Sequence, residues 1–261
     1  MTNLQKRISS GLVLLILLSL VVSSVRIIPD VAIYILALLT LFLSYEYSRF
    51  FNTKSVSILF LFVILLSFLL PIKLYFWLVI LGCLIWLSLF IRILLYDNPS
   101  MSNAEIFFAG YLMIVPSLIS GIIIFDAYAK LLILILIAVS FADSSAYFFG
   151  KRYGNKILLK NTSPGKTLEG LIGAGISTPI FLGLISGLVD IKLSDAIIFG
   201  LVITPVSFIG DVSFSFIKRS ANIKDSSNLI PGHGGFIDLL DGSVASLPFF
   251  ALLLMNFPEN F

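Results

Sequence analysis

Long apolar runs, separated by short polar joints, make up most of the 261-residue chain. About nine of these runs approach the length of about 20 residues at which a helix crosses the hydrocarbon core of a bilayer. They lie at about 8–25, 27–44, 56–72, 74–92, 106–125, 131–149, 170–189, 195–209 and 243–257. The pattern predicts an all-α, polytopic integral membrane protein with about nine transmembrane helices, in which residues 1–261 form one membrane-embedded domain.

The composition excludes a soluble protein. Hydrophobic residues make up 59% of the chain and charged residues 12%, whereas soluble domains contain about 25% charged residues. The single cysteine, Cys83, excludes a disulfide framework and a cysteine-based metal cluster. A net charge of +3 is too small to indicate a nucleic-acid partner. The run after Lys6 and Arg7 is longer than the apolar core of a typical signal peptide, so we interpret it as a retained first span.

The distribution of Lys and Arg predicts the orientation of the chain. If the N-terminus is cytoplasmic, thirteen of the 17 basic residues fall in cytoplasmic joints. The other four are Arg26, Lys73, Lys130 and Lys192. In this topology two long polar joints, 151–169 and 210–242, both lie inside, and we expect them to carry the function. Two merely solvated loops would explain their lysines, but not their aspartates and glycines.

Asp143 lies inside the sixth apolar run. A carboxylate at the centre of a span costs about 2.5–3.5 kcal/mol on insertion scales. We therefore expect Asp143 to face a polar cavity and to have a cationic partner; the alternative is an Asp near a helix end capped by Ser144 or Ser145. A transporter is disfavoured, because the charges cluster in two joints rather than along several spans.

The two long joints contain the remaining candidate chemistry. Residues 163–167, Ser-Pro-Gly-Lys-Thr, predict a turn whose amides and Lys166 bind phosphate, although the full spacing of a Walker loop is absent. In the second joint Asp211, Ser215 and Lys218 share one helix face. The glycine-rich segment 231–235 surrounds His233, which we interpret as a ligand contact or a residue that fixes the loop.

Four carboxylates stand near the ends of adjacent predicted spans. They are Asp143, Asp211, Asp238 and Asp241. Two carboxylates 4 Å apart repel by about 4 kcal/mol at an effective dielectric constant near 20, so a cation must hold them if they converge. Oxygen ligands favour Mg²⁺ or Mn²⁺ over Zn²⁺. With the neighbouring lysines and Arg219, this arrangement indicates phosphoryl or nucleotidyl transfer between anionic reactants.

Residues 213–241 resemble the signature of the phosphatidate cytidylyltransferases, also called CDP-diacylglycerol synthases. The matching string is Ser213-x₄-Lys218-Arg219-x₄-Lys224-Asp225-Ser226-x₃-Ile230-Pro231-Gly232-His233-Gly234-Gly235-Phe236-x-Asp238-x₂-Asp241. Segments 141–147 and 163–170 resemble a second conserved stretch of that family, and the length and the number of spans fit as well. In this resemblance residues 1–130 are N-terminal helices and residues 131–261 are the catalytic part.

The resemblance implies transfer of the CMP moiety of CTP to phosphatidate, giving CDP-diacylglycerol and pyrophosphate for phospholipid biosynthesis. It implies Mg²⁺ held by Asp143, Asp211, Asp238 and Asp241, with a second cation left open. Catalytic roles are implied for Asp211, Asp238, Asp241, Lys218 and Arg219. Substrate-binding roles are expected for Ser144, Ser163, Lys166, Lys224, Asp225, Gly232, His233, Gly234 and Gly235. The expected partners are CTP, phosphatidate, membrane lipid and a second copy of the chain, at the cytoplasmic side of a bacterial inner membrane, with no nucleic acid.

The chain departs from the family pattern at three positions. The family usually has Arg at the position of Leu239, Glu at that of Phe214 and Trp at that of Leu168. At position 239 the guanidinium group of the usual arginine is replaced by the apolar side chain of Leu239, between two aspartates. Two other functions therefore stay open: a CTP-dependent enzyme with another lipid or polyprenyl acceptor, and a divergent, inactive homologue that binds lipid or assists a partner.

Overall fold

A bundle of helices with one short β-hairpin makes up the computed structural model, which describes residues 31–188, 191–230 and 234–256. The helices are α1 (Val31–Ser48), α2 (Lys54–Ser67), α3 (Tyr75–Leu95), α4 (Asn103–Tyr153), α5 (Leu168–Ile185), α6 (Leu193–Ser220) and α7 (Phe236–Asn256). Strands β1 (Ile157–Leu159) and β2 (Ser163–Thr167) join α4 to α5, and short 3₁₀ turns lie at Ile72–Leu74 and Ser186–Leu188.

Six helical stretches of the described residues are long and apolar enough to cross a membrane. They are Ile72–Leu95, Asn103–Ala127, Ala129–Tyr153, Leu168–Leu188, Leu193–Ser220 and Phe236–Asn256. Two shorter apolar helices, Tyr34–Ser48 and Lys54–Ser67, accompany them. The chain is therefore a largely helical integral membrane protein, as predicted. The predicted first span at 8–25 lies outside the described residues, so the number of nine and the orientation of the N-terminus stay predictions.

Helix α4 reverses direction within its 51 residues. The Ser117 hydroxyl donates to the Val244 carbonyl at 2.6 Å. A Cβ placed on Gly242 would lie 3.0 Å from the Val139 side chain. Ser117 and Val139 would be about 33 Å apart along a straight helix, yet both lie against the same turn of α7. The two halves of α4 therefore form separate spans, in agreement with the predicted spans 106–125 and 131–149.

Aromatic side chains fill the bundle between α1, α2, α3 and α6. Tyr47, Phe60, Trp86 and Phe214 are each almost completely buried. The ring of Phe214 lies 5.4 Å from that of Trp86 and 6.5 Å from that of Tyr47. Large apolar residues such as Leu188, which is 83% exposed, cover the outside of the bundle. That distribution suits a protein whose solvent is lipid.

Two local predictions need correction. Residues 163–167 are strand β2 rather than a turn; this strand pairs with β1 in an irregular antiparallel register, and the chain reverses before it, at 160–162. Pro164 is tolerated because a two-stranded hairpin has only edge strands, where a missing N–H costs little. The joint predicted at 210–242 is also shorter, because α6 continues to Ser220 and α7 begins at Phe236. The polar residues at both ends of that joint therefore lie on helices.

Candidate active site

Lys166 is the centre of a cluster of charged side chains from four elements. Its ammonium group, on β2, forms an ion pair with Asp211 of α6. Asp143 of α4 and Asp241 of α7 also lie close enough to act on its charge. The structure thus brings together three of the four predicted metal carboxylates and provides Asp143 with the cation that its position in a span requires.

The positive charge of Lys166 is strongly maintained. Burial by itself lowers the pKa of a lysine, because it removes water from the charged form. The charges of Asp211 and Asp143, with a smaller contribution from Asp241, outweigh burial and raise the pKa of Lys166 above its ordinary value. Lys166 therefore stays protonated at neutral pH and is available as a fixed cation for an anionic ligand.

A close crossing of α6 and α7 brings Asp211 and Asp241 together. A Cβ on Gly210 would collide with the Asp241 carbonyl and would lie 2.9 Å from the Gly242 Cα. A Cβ on Gly242 would lie 3.0 Å from the Ser207 side chain. Glycines at both positions let the two backbones touch, and this contact occurs next to both carboxylates.

Asp238 lies in a second ion pair, beside the first cluster. Its Oδ1 atom is 2.5 Å from the Lys218 ammonium group, and both side chains are almost buried. Its Oδ2 atom accepts hydrogen bonds from the backbone N–H groups of Ser226, at 2.7 Å, and Gly235, at 2.9 Å. Gly235 immediately precedes α7, so Asp238 caps the helix that carries it. Both of its oxygens are engaged in this arrangement.

Glu46 of α1 joins the same region, although no motif in the sequence points to it. It is completely buried. Its carboxylate accepts hydrogen bonds from the hydroxyls of Ser226 and Ser227 and from the backbone N–H of Ile237. No local pattern could have indicated this, because the partners lie 180 to 191 residues further along the chain.

Asp97, between α3 and α4, was missed for the same reason. It accepts hydrogen bonds from the backbone N–H groups of Asn161, at 2.7 Å, and Thr162, at 2.9 Å. The Thr162 hydroxyl also donates to it, at 2.6 Å. Asp97 therefore fixes the turn of the hairpin that carries Lys166. At the other end of β2, the Thr167 hydroxyl caps α5 by accepting from Gly170.

The other predicted substrate-binding residues are more dispersed. Ser144 is exposed, and its hydroxyl donates to the Ser140 carbonyl one turn away. Ser163 begins β2 and is half-buried, while Lys224 and Asp225 are exposed in the loop after α6. Arg219 is half-buried in the last turn of α6. Gly234 has a φ of 102° and forms a β-bridge with Ile230. Gly232 and His233 lie outside the described residues.

The three departures from the family pattern have different surroundings. Phe214 belongs to the buried aromatic group described above and not to the charged cluster. Leu239 and Leu168 are half-buried, in the first turns of α7 and α5. Asp238, next to Leu239, already has Lys218 as its cationic partner. The neighbouring aspartate is therefore neutralised without an arginine at position 239.

The described residues supply oxygen ligands of the kind that a divalent cation prefers, but they do not form a complete metal centre. Within residues 31–188, 191–230 and 234–256, no group of three or more His, Cys, Asp or Glu side chains is placed to hold a metal ion. Four aspartates and two lysines meet in the neighbouring ion pairs and around them, so carboxyl groups outnumber ammonium groups by two. Magnesium is commonly held by one or two carboxylates together with substrate phosphates rather than by a protein cage. The cluster suits a cation that binds together with a phosphate ligand.

Comparison with known proteins identifies a family and several proteins whose sequences are similar to this chain. The model of the Cytidylyltransferase family matches residues 5–257, nearly the whole chain. A phosphatidate cytidylyltransferase of Haemophilus influenzae is 41% identical over 128 residues, which cover 46% of this chain and 44% of that protein. One of Pseudomonas aeruginosa is 38% identical over 128 residues, covering 48% and 47%. Uncharacterized protein YnbB of Escherichia coli is 42% identical over 123 residues, covering 46% and 41%. The matches thus span about half the length of these relatives.

Proposed function

The chain belongs to the cytidylyltransferase family, and on that premise we propose that it transfers the cytidylyl group of CTP to phosphatidate, giving CDP-diacylglycerol and pyrophosphate. The observation that carries the proposal is the ion pair of Lys166 with Asp211 of α6, with Asp143 of α4 and Asp241 of α7 near enough to act on the charge of Lys166. The names of the Haemophilus and Pseudomonas relatives support this choice of substrates.

The chemistry requires placement and charge neutralisation more than proton transfer. An oxygen of the lipid phosphate forms a bond to the α-phosphorus of CTP, and the bond from that phosphorus to the β-phosphate oxygen breaks. Pyrophosphate leaves with the bonding electrons. Because the attacking phosphate is already ionised, the site needs no strong general base. Catalysis then depends on holding two anions in line and on stabilising the charge that develops between them.

The roles of individual residues follow from their charges and positions. We propose that Lys166 and Lys218 bind phosphate oxygens, with Arg219 and Lys224 attracting the nucleotide from outside the cluster. Asp143, Asp211 and Asp241 hold Mg²⁺ together with the triphosphate, and Asp238 is kept as a fourth expected ligand. When bound, the cation neutralises phosphate charge. It would also bind where carboxyl groups outnumber ammonium groups, and so would reduce their repulsion of CTP.

We place the site on the cytoplasmic side of a bacterial inner membrane, in a chain of nine spans with the N-terminus inside. Basic residues support this orientation, because they accumulate on the cytoplasmic side of membrane proteins. Those at the end of the bundle that carries the site are Lys151, Arg152, Lys156, Lys160, Lys166, Lys218, Arg219 and Lys224. The homodimer implied by the family resemblance, and a second cation, are further proposals; the mass of the purified protein in detergent would test the former.

One assay tests the proposed reaction. The purified full chain in detergent is given CTP labelled at the α-phosphate, phosphatidate and Mg²⁺, and the lipid product is identified. We expect labelled CDP-diacylglycerol, its loss on addition of EDTA and its recovery with excess Mg²⁺. Label that enters only a different lipid or polyprenyl acceptor would favour the alternative acceptor. No product from the natural chain, but product after Leu239→Arg, would favour an inactive homologue.

A further inference from the structure

Glu46 occupies a position that its own helix disfavours. It lies in the last turn of α1, where the negative end of the helix dipole repels a carboxylate. It is also completely buried. Charged side chains are almost never buried in this way unless other groups compensate them. The compensation therefore has to come from outside α1.

Hydrogen-bond donors from the loop after α6 and from the start of α7 compensate the buried carboxylate of Glu46. The Ser227 hydroxyl donates to Oε1 at 2.6 Å, and the Ser226 hydroxyl lies 3.0 Å from Oε2. The backbone N–H of Ile237 donates to Oε2 at 2.9 Å. Ile237 lies in the first turn of α7, the end at which a helix attracts negative charge. The carboxylate thus joins the middle of the loop between α6 and α7 to the first turn of α7.

Gly235 shows how closely the carboxylate approaches this loop. A Cβ at position 235 would lie 2.6 Å from each Glu46 oxygen and would also collide with the Ser226 hydroxyl. Its own N–H donates to Asp238. Gly235 is therefore required by the packing of Glu46, in addition to any contact that it makes with a ligand.

The contacts continue from Glu46 into the charged cluster. The Ser226 hydroxyl lies 3.0 Å from Glu46 Oε2 and 3.0 Å from Asp238 Oδ2, so one hydroxyl links the two carboxylates. Asp238 in turn holds Lys218. Asp241 follows Ile237 by four residues and lies one turn further on the same face of α7.

We propose that Glu46 is a positioning residue for nucleotidyl transfer, which fixes the loop between α6 and α7 and the first turn of α7 so that Asp238, Lys218 and Asp241 are correctly placed. The inference rests on the proposed function and assigns a role to α1, which lies outside the part of the chain that resembles the family signature. Glu46 does not touch the reacting groups; it acts through Ser226, Ser227 and Ile237.

The test compares Glu46→Ala, Glu46→Gln and the control Ser44→Ala in the full chain. Ser44 is buried on the same helix, but its hydroxyl donates to the Thr40 carbonyl within α1. For Glu46→Ala we expect kcat to fall about 10- to 100-fold, the usual loss when a group supporting a metal or catalytic site is removed, with a smaller change in KM for CTP. Glu46→Gln should lie between it and the natural chain, because one amide oxygen replaces two acceptors. Ser44→Ala should keep the natural kcat.

Hydrogen exchange provides a readout that does not depend on turnover. In Glu46→Ala the amides of 226–230 and 234–238 should exchange faster, while those of the hairpin at 157–167 keep their rates. Natural exchange and natural kcat in folded Glu46→Ala would overturn the proposal, and so would equal loss of protection in the hairpin. If Glu46→Ala does not fold, Glu46→Gln decides by the same two measurements. If the natural chain has no transferase activity, the proposed reaction fails while the exchange experiment still tests the contact.

Discussion

The charged cluster combines residues of opposite sign that would each be unfavourable alone. Lys166 lies among Asp143, Asp211 and Asp241, and Lys218 pairs with Asp238. Because carboxyl groups outnumber ammonium groups, we expect each of them to contribute to the binding of a cation that accompanies CTP. Removing one carboxyl group should therefore affect the reaction more than it affects the fold.

Asp241→Asn tests this expectation directly. The substitution keeps the size of a buried side chain and removes a carboxyl group that lies near Lys166. We expect turnover to fall by about 100-fold or more, as when a preorganised electrostatic group is removed, with the thermal unfolding midpoint little changed. Asp195→Asn, in the first turn of α6 and beside Ser194, serves as the control. Full activity of Asp241→Asn would remove that residue from the site.

The members of the cluster could be predicted from the sequence, but the residues that support them could not. Asp143, Asp211 and Lys166 stand out because charge is scarce in so apolar a chain. Glu46 lies among aromatic residues in the sequence, and the hydroxyls that bind it follow 180 and 181 residues later. Spacing also grouped Asp238 with Asp241, whereas the loop directs Asp238 to Lys218.

At the scale of elements, the contact between α6 and α7 determines how near their carboxylates come. Any side chain at position 210 would push on the Asp241 carbonyl and on Ala245, whose Cβ would be 2.7 Å away. Since these atoms belong to the backbone or to the Cβ of a packed helix, no side-chain rotation can relieve the clash. The spacing of Asp211 and Asp241 thus depends on a residue without a side chain.

Gly210→Ala should separate the two helices. Overpacking of this kind costs about 1–3 kcal/mol, so we expect a lower thermal unfolding midpoint together with a large loss of turnover. Gly175→Ala on α5 is the matched control, because nothing lies within 4 Å of its added Cβ. In that variant the helix should be slightly more stable, since alanine restricts the unfolded chain. Normal turnover in Gly210→Ala would show that the crossing tolerates expansion.

The β-hairpin that carries Lys166 depends on Asp97, which lies in the connection between α3 and α4. Asp97→Ala would leave two backbone donors and the completely buried Thr162 hydroxyl without their acceptor. An unsatisfied buried donor costs about 1–3 kcal/mol. Because the hairpin carries Lys166, we expect KM for CTP to rise, and Asp97→Asn should restore part of the affinity. Asp195→Ala controls for loss of an aspartate, and an unchanged KM in Asp97→Ala would separate the hairpin turn from nucleotide binding.

Apolar periodicity located most of the helices, but it could not set their ends. Helix α6 runs to Ser220 rather than 209, because the polar residues after Gly210 continue the helix and face the interior of the site. The strand at 163–167 was hidden for another reason. Its Pro and Gly indicate a turn locally, and only pairing with β1 makes them extended.

At the scale of the molecule, the apolar pattern was sufficient to predict a helical membrane protein and its two long joints. The order of the spans also explains why residues far apart in sequence meet at one end of the bundle. Helices α3 and α4 and the hairpin place Asp97 beside the residues before β2. Lys73, by contrast, precedes α3 at the opposite end of that helix.

Labelling from the two sides of a membrane tests the proposed orientation. Lys224→Cys and Lys73→Cys are introduced separately into a Cys83→Ser background, since Cys83 is the single, buried cysteine. Both lysines are exposed. With a membrane-impermeant maleimide, we expect the cysteine at 224 to react only from the cytoplasmic side and the one at 73 only from the other side. The reverse result, or equal labelling of both sites from one side, would require a different topology.

The contact between α1 and α7 also has a consequence for biosynthesis. Residue 46 leaves the ribosome 191 residues before Ile237, its partner on α7. Until that helix arrives, Glu46 of the nascent chain lacks the donors that compensate it in the complete fold. We expect a chain truncated before residue 226 to be degraded by the quality-control proteases of the cell, so that only completed protein accumulates.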